Sequence, residues 1–452
     1  MKRFAQLAGI LLALALTAPL AAQPVVSEKK QVAIFALGYY GWAIPQETLG
    51  NIDLEIQKVF VDLGRFEIIG ASQRLSSGGL EQFIAALKKA KEANFVMPEK
   101  FQFGEAILTE AEFNRLLGSF IVAAPVVSNF ISGYSDKSGA WSTEIKTNVT
   151  FVDVGAGGAT LAIAEVRTSG SDKESQLKSI SDAIEAIPMQ LQYEIRKIPA
   201  FQINSRILAV SGREIKMQLG QNMGIKKGDE YSVVQGGMVE GFKDERETGL
   251  IVIKEVGPEV STGQVLYADG KLGKDAQVRE IARMGFDAEP FLHLVSGKKL
   301  AFGGEDPGDG ANIIGGIRIP LSRGFYDLRP FASVQVPFNG VKEVFTVFLF
   351  PVDVLVGAEY RANLGRLSAT PYVAAGASYL YLTEAISGYS RDTSGSVFPH
   401  VGGQAYLNLS YLASRDMRLF VDLGAEYWLS LADWLYSNYG GLSVGAGISF
   451  KL

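Results

Sequence analysis

Apolar and polar residues alternate through the last third of the chain. Over 442–452, Leu442, Val444, Ala446, Ile448, Phe450 and Leu452 share one face, and Ser443, Gly445, Gly447, Ser449 and Lys451 the other. A period of two predicts a strand with one apolar face. The pattern recurs back to Phe286 and predicts eight strands, at about 286–295, 311–321, 328–338, 345–362, 367–382, 397–412, 417–431 and 440–452. Each is long enough for the ~9–11 residues a strand needs to cross a bilayer. Short connections (322–327, 363–366, 413–416) alternate with long ones (296–310, 384–395); the connection near Asn339 and Gly340 is short and departs from that rule. A closed barrel lets strands meet lipid without an unpaired backbone edge.

The opposite faces are polar. Glu289, His293, Arg318, Arg329, Gln335, Asp353, Glu359 and Arg361 fall inward on the first four strands, and His400, Gln404, Tyr406, Asn408 and Ser410 on the sixth. On the seventh, Arg418, Phe420, Asp422, Gly424, Glu426 and Trp428 face in, while Leu419, Val421, Leu423, Ala425, Tyr427 and Leu429 face out. Eight strands enclose a space that side chains can fill. Charges of both signs therefore predict a lumen plugged by ion pairs, with Asp422 and Glu426 set among arginines.

Other periods precede this region. Residues 31–37 read as a strand, and 45–63 carry Leu49, Ile52, Ile56, Val59 and Phe60 at helical spacing. A strand at 66–69, a helix at 80–93 and a helix capped by Thr109 with Glu112 follow. Strands at 119–127, 143–154 and 159–168 come next, the last two flanking a glycine turn at 155–158. One long helix is predicted over 172–197. From 205 to 282 the helical period vanishes and short strands are predicted at 207–212, 213–219, 230–235, 248–256 and 263–267. Between them, Gly220-Gln-Asn-Met-Gly224-Ile-Lys-Lys-Gly228-Asp229 predicts positive φ at Gly224 and Gly228, with Asp229 bonding nearby N–H groups.

The first of these regions resembles the periplasmic α/β domain shared by the curli-secretion lipoprotein family, the N-terminal domain of TolB and the middle domain of the flagellar protein FlgT. The strands VAIFAL at 32–37, RFEIIG at 65–70, Gly118-Ser-Phe-Ile-Val122 and FVDV at 151–154 carry the resemblance. The glycine-rich turn at 220–229 is similar to one in the small C-terminal β-barrel of FlgT-like proteins, which are not expected to carry the region that follows. Residues 285–452 resemble the OmpA/OmpX class of small outer-membrane barrels by architecture. Such barrels usually end on an aromatic residue; here Leu452 holds that parity and Phe450 lies two residues earlier. The resemblances imply modules and a location, not a flagellar role.

Composition narrows the function. Lys2 and Arg3, the apolar run 7–16 and the small-residue stretch 18–23 have the order of a signal peptide (1–22), cleaved after Ala21 or Ala22. No later run is apolar for the ~18 residues of a spanning helix. With no cysteine there is no lipid-modified N-terminus, disulfide or thiolate site. Losing Lys2 and Arg3 takes the formal net charge from −5 to −7, which argues against a nucleic-acid partner.

Candidate chemistry reduces to structure. The glycines at 155–158 lead into a strand and not a helix, so they read as a hairpin turn and not a phosphate loop. The 305–310 loop lacks the distal Glu of a calcium site. His293 and His400 read as interior barrel residues, Lys88, Lys89 and Lys91 as a solvated helix face, and no Gly-x-Ser-x-Gly elbow occurs. No catalytic, metal or cofactor-binding residue is expected, and no enzyme.

The expected architecture is multidomain: an α/β (α+β) periplasmic domain at 24–203, a small all-β barrel at 204–282 and an eight-stranded antiparallel transmembrane β-barrel at 283–452. The changes of period near Ser205 and Gly285 predict that 24–282 folds without the barrel. The expected role is a non-enzymatic outer-membrane-anchored scaffold, its partners being outer-membrane lipid and a periplasmic envelope or appendage protein. An oligomeric curli-type secretion channel and a surface-exposed ligand-binding protein, or adhesin, using the loops 298–312 and 384–396 are the alternatives. The sequence does not set the oligomeric state.

Overall fold

The computed structural model describes residues 26–40, 44–74, 77–90, 100–103, 106–117, 121–239, 242–301, 307–338, 351–382, 395–432 and 435–452. The signal-peptide reading, the 384–394 part of one outer loop, the 345–350 start of the fourth barrel strand and the connection at 339–340 lie outside them.

In the first unit the strands lie in the order Phe66–Arg74, Lys30–Ala36, Ile121–Ser135, Ala140–Asp153, Ala159–Asp172. The first three are parallel and the last two add antiparallel. Alternation sends Val32 and Ile34 to one face, against Leu49, Ile52, Ile56 and Phe60 of helix Gln46–Asp62. Ala33 and Phe35 go to the other face, with Phe83, Leu87 and Phe113 of helices Ser77–Ala90 and Glu110–Leu117. A sheet buried on both faces needs a near-continuous apolar run, which is how 32–37 reads. Thr109 and Glu112 form the capping box: Thr109 N–H donates to Glu112 Oε2 (2.8 Å), and Glu112 N–H to Thr109 Oγ1 (3.3 Å). The 155–158 segment is a hairpin turn, with Gly157 and Gly158 at φ +75° and +79°.

The single helix expected over 172–197 is two. The strand runs on to Asp172, Ser175 caps helix Gln176–Glu185, and helix Ile187–Lys197 follows after Ala186. Pro188 has no N–H for the carbonyl one turn back and its ring crowds that turn, so the helix breaks there and restarts with Pro188 in its first turn.

The second unit is a closed six-stranded barrel, Glu214–Gln218, Val260–Ala268, Phe242–Val256, Glu230–Val239, Gln277–Ile281 and Asn204–Ser211 in spatial order. Its core holds Ile207, Ile215, Met217, Tyr231, Val233, Ile251, Ile253 and Val278. Gly224 and Gly228 have φ +72° and +79°, and Asp229 Oδ2 accepts from Lys226 N–H at 2.8 Å.

The third unit is a closed antiparallel barrel of eight strands: Asp287–Lys298, Asp309–Pro320, Leu328–Pro337, Val352–Tyr360, Leu367–Leu382, His400–Leu412, Met417–Ser430 and Tyr439–Lys451. Short extensions, Ala362–Leu364 and Gly395–Val397, prolong two of them. The first strand pairs with the eighth, and the fourth with the fifth, so no edge is left open.

Candidate functional site

The outer surface of the eight-stranded barrel follows from strand parity. Leu292, Leu294, Ile313, Ile317, Val334, Val354, Val356, Val373, Leu407, Leu409, Val421, Leu423, Val444 and Ile448 are all exposed around the wall. Among the described outward positions the charged ones are Lys298 and Asp309, both at the loop end and facing each other across the strand pair (Nζ–Oδ1 3.7 Å). Exposed aromatics mark both rims: Tyr360, Tyr411 and Phe450 near the short turns, and Phe338, Phe398 and Tyr427 near the long loops. An exposed apolar surface this extensive marks an interaction face.

Charge is collected inside instead. Near the short turns Arg318 Nε donates to Glu289 Oε2 (2.7 Å), Arg329 Nη2 to Asp287 Oδ2 (2.7 Å), and Arg361 reaches Asp287 (3.3 Å), Glu289 (3.3 Å) and Glu359 (3.2 Å). The Arg318 guanidinium lies 4.0 Å from the Tyr372 ring centre. In the middle layer Asp422 accepts from Asn408 (2.7 Å) and Tyr372 (3.2 Å) and lies 3.1 Å from His293 Nε2. Farther out Asp353 accepts from Ser378 (2.5 Å) and Tyr439 (2.7 Å). Above it Leu300, Leu435 and Tyr436 are buried over the lumen. The inward residues read from the sequence are thus buried together as a plug.

One expectation needs correction. Glu426 has no arginine partner among its recorded contacts; its Oε2 accepts from Gln335 Nε2 at 3.0 Å. The ion-paired arginines stand toward the short turns, whereas Glu426 lies in the outer half of the seventh strand, and barrel stagger decides which levels meet. His400 Nε2 sits 3.0 Å from the Ser437 carbonyl, a structural contact. The described part of the 305–310 loop is Pro307 onward, and Lys88 and Lys89 are solvent-exposed.

At the short-turn end the three units meet in a buried cluster that sequence reading missed. Arg65, just after helix Gln46–Asp62, clasps Glu280 through both terminal nitrogens (2.6 and 2.9 Å). Arg196, on helix Ile187–Lys197, donates Nε to Glu280 Oε1 (2.6 Å) and Nη2 to Asp229 Oδ1 (3.2 Å). The same Asp229 oxygen accepts from Arg323 Nε (3.0 Å), in the turn after the second barrel strand, while Arg323 Nη1 reaches Gln192 (2.8 Å). Glu230 accepts from Arg283 Nη2 (3.0 Å) and from Lys451 at the end of the last strand. Burial alone would raise the Glu280 carboxyl, but Arg65 and Arg196 hold it well below the usual range. Glu230 is likewise held low against its burial, by Lys451 and Arg283.

The turn at 220–229 is the hinge pin of this cluster. A Cβ on Gly224 would lie 1.9 Å from the Leu63 carbonyl oxygen of the first unit, and one on Gly228 1.9 Å from the Ser322 carbonyl oxygen of the third. Gly324 N–H also donates to the Lys227 carbonyl (2.7 Å). Beside it Leu250, Val252, Leu266 and Ile281 pack with Leu412 and Tyr326. The second unit therefore caps the barrel mouth through apolar and ionic contact.

No family model matches the chain, and neither does any curated protein. Among solved structures it is similar to the hypothetical protein CT253 from Chlamydia trachomatis (12% identity, 38% of this chain and 99% of that one, TM-score 0.25). It is similar also to Neisserial surface protein A (13%, 37% and 97%, TM-score 0.26) and to the N-terminal β-barrel domain of Pseudomonas aeruginosa OprF (14%, 37% and 97%, TM-score 0.22). At these scores the likeness carries no argument; the barrel reading rests on the strand pairing and on the faces described above.

Proposed function

We propose that the chain is a non-enzymatic outer-membrane protein whose barrel anchors the α/β unit and the six-stranded barrel on its periplasmic side, where they act as a scaffold. One observation carries the reading: among the described residues the wall of the closed barrel is apolar and carries no charge between its rims, while arginines and carboxylates fill its inside. A charge on the lipid face costs ~2–4 kcal/mol at midplane, so this distribution suits lipid and would be a liability in water. The two smaller units sit at the end with short turns, the periplasmic end in outer-membrane barrels. The resemblance of the 32–154 strands and the 220–229 turn to curli-secretion and FlgT-like domains supports a partner in an envelope or appendage assembly.

The filled lumen favours an anchor over a secretion channel. In fractionated cells the protein should sediment with outer membrane and change gel mobility on heating. Purified protein in planar bilayers should show no steady conductance. Recovery in the soluble periplasmic fraction would overturn the placement. Large reproducible conductance steps would favour several chains around a shared pore.

A further inference from the structure

We propose that the capped mouth of the barrel binds one small inorganic anion, between chloride and phosphate in size, on Arg418. A cavity of about 40 Å³ lies where the six-stranded barrel closes over the eight-stranded one. It exceeds the ~10–15 Å³ that one water needs and is too small for an organic ligand. Arg283, Arg329, Arg361, Arg418 and Lys451 line it, against Glu230 and Asp287. Glu230 is taken by Arg283 and Lys451, and Asp287 by Arg329 and Arg361.

Arg418 is left over. It is 2% exposed, its recorded hydrogen bond goes from Nη1 to the Ser368 hydroxyl (3.2 Å), and its Nε has no acceptor. Arg361 Nε is orphaned too. Ser449, directly opposite Arg418 on the eighth strand, is buried with an unpartnered hydroxyl. A buried guanidinium without a countercharge is costly, and orphaned buried donors add to that cost. Two unsatisfied guanidinium donors on residues that line the same small cavity, and one unmatched positive charge, call for an acceptor carrying a negative charge. Water supplies the acceptor and not the charge. The inference is independent of the membrane and scaffold reading.

The test uses the full chain in detergent. Crystals grown with sodium bromide replacing chloride should give an anomalous peak in the cavity, in contact with Arg418. In parallel, thermal unfolding is followed at constant ionic strength in sodium chloride, sodium phosphate, or the sodium salt of a bulky organic sulfonate that the cavity cannot admit. Binding to the native state raises the midpoint saturably. Chloride or phosphate should do so where the sulfonate does not, and the one acting at lower concentration is the preferred anion. Arg418→Met should remove the difference between salts. If that variant does not fold, the wild-type measurements decide alone. An empty cavity, equal midpoints in all three salts, or a bromide peak without any midpoint difference (binding at crystal concentration only) would each overturn the proposal.

Discussion

Arg196 of the first unit grips the second directly and the third through a shared oxygen: Nε bonds Glu280 at 2.6 Å, and Nη2 reaches, at 3.2 Å, the Asp229 oxygen that Arg323 of the barrel turn also holds. Arg196 and Glu280 are both almost fully buried. Such a pair stabilises little against an apolar replacement, but breaking it from one side leaves an uncompensated charge.

Glu280→Gln should therefore lower stability by about 3–5 kcal/mol, because Arg65 and Arg196 lose their shared countercharge. Denaturant unfolding of the full chain measures this. A change below 1 kcal/mol would mean that the cluster is not closed in solution.

Acid should loosen the same junction. Glu280 is held below its ordinary value of 4.5, so its contribution is complete above that pH and is lost progressively as pH falls toward the lowered folded value. Glu230 adds in the same direction. Proteolysis between the units should accelerate below about pH 4.5, the ordinary glutamate range, and stay flat from there to neutrality. Acceleration on the alkaline side would contradict the sign of both shifts.

Gly228→Ala should destabilise by roughly 2 kcal/mol or more. It combines a left-handed backbone, costing about 1–2 kcal/mol for a residue with a Cβ, with a clash at the Ser322 carbonyl. Gly212 also has positive φ, but open space surrounds its Cβ position, so Gly212→Ala carries only the backbone cost. If both variants melt alike, close approach to the barrel is not what Gly228 serves.

Leu423→Arg, at an outward mid-strand position, should cost about 2–4 kcal/mol in refolding into lipid vesicles. Leu423→Ala tests loss of the side chain without the charge and should cost less. Equal costs would argue that this face does not meet lipid.

Residues 24–282 expressed alone should expose Leu250, Val252, Leu266 and Ile281, and should leave Glu230 without Lys451. Self-association or a lowered melting temperature relative to the full chain is expected. A monodisperse fragment, as stable as the same segment in the full chain, would instead support the separable units expected from the changes of period.

Much of this was legible in the chain because strand parity is a local property. Leu419, Val421 and Leu423 face out, and Arg418, Phe420 and Asp422 face in, from the covalent alternation of the backbone alone. The capping box at Thr109 and Glu112 and the left-handed turns at Gly224 and Gly228 are equally local. Pro188 carried a legible break within the 172–197 pattern, yet the apolar spacing on either side hid it.

What the tertiary structure alone decided is which charges meet. Arg65 and Glu280 are 215 residues apart, and nothing in either neighbourhood names the other. Glu426 shares the inward face of its strand with Arg418, but barrel closure sets its level against Gln335 instead. The capped mouth has the same origin. Ion pairs between units depend on how whole domains dock, a long-range outcome of shape and burial, whereas alternation and turns are determined within a few residues of chain.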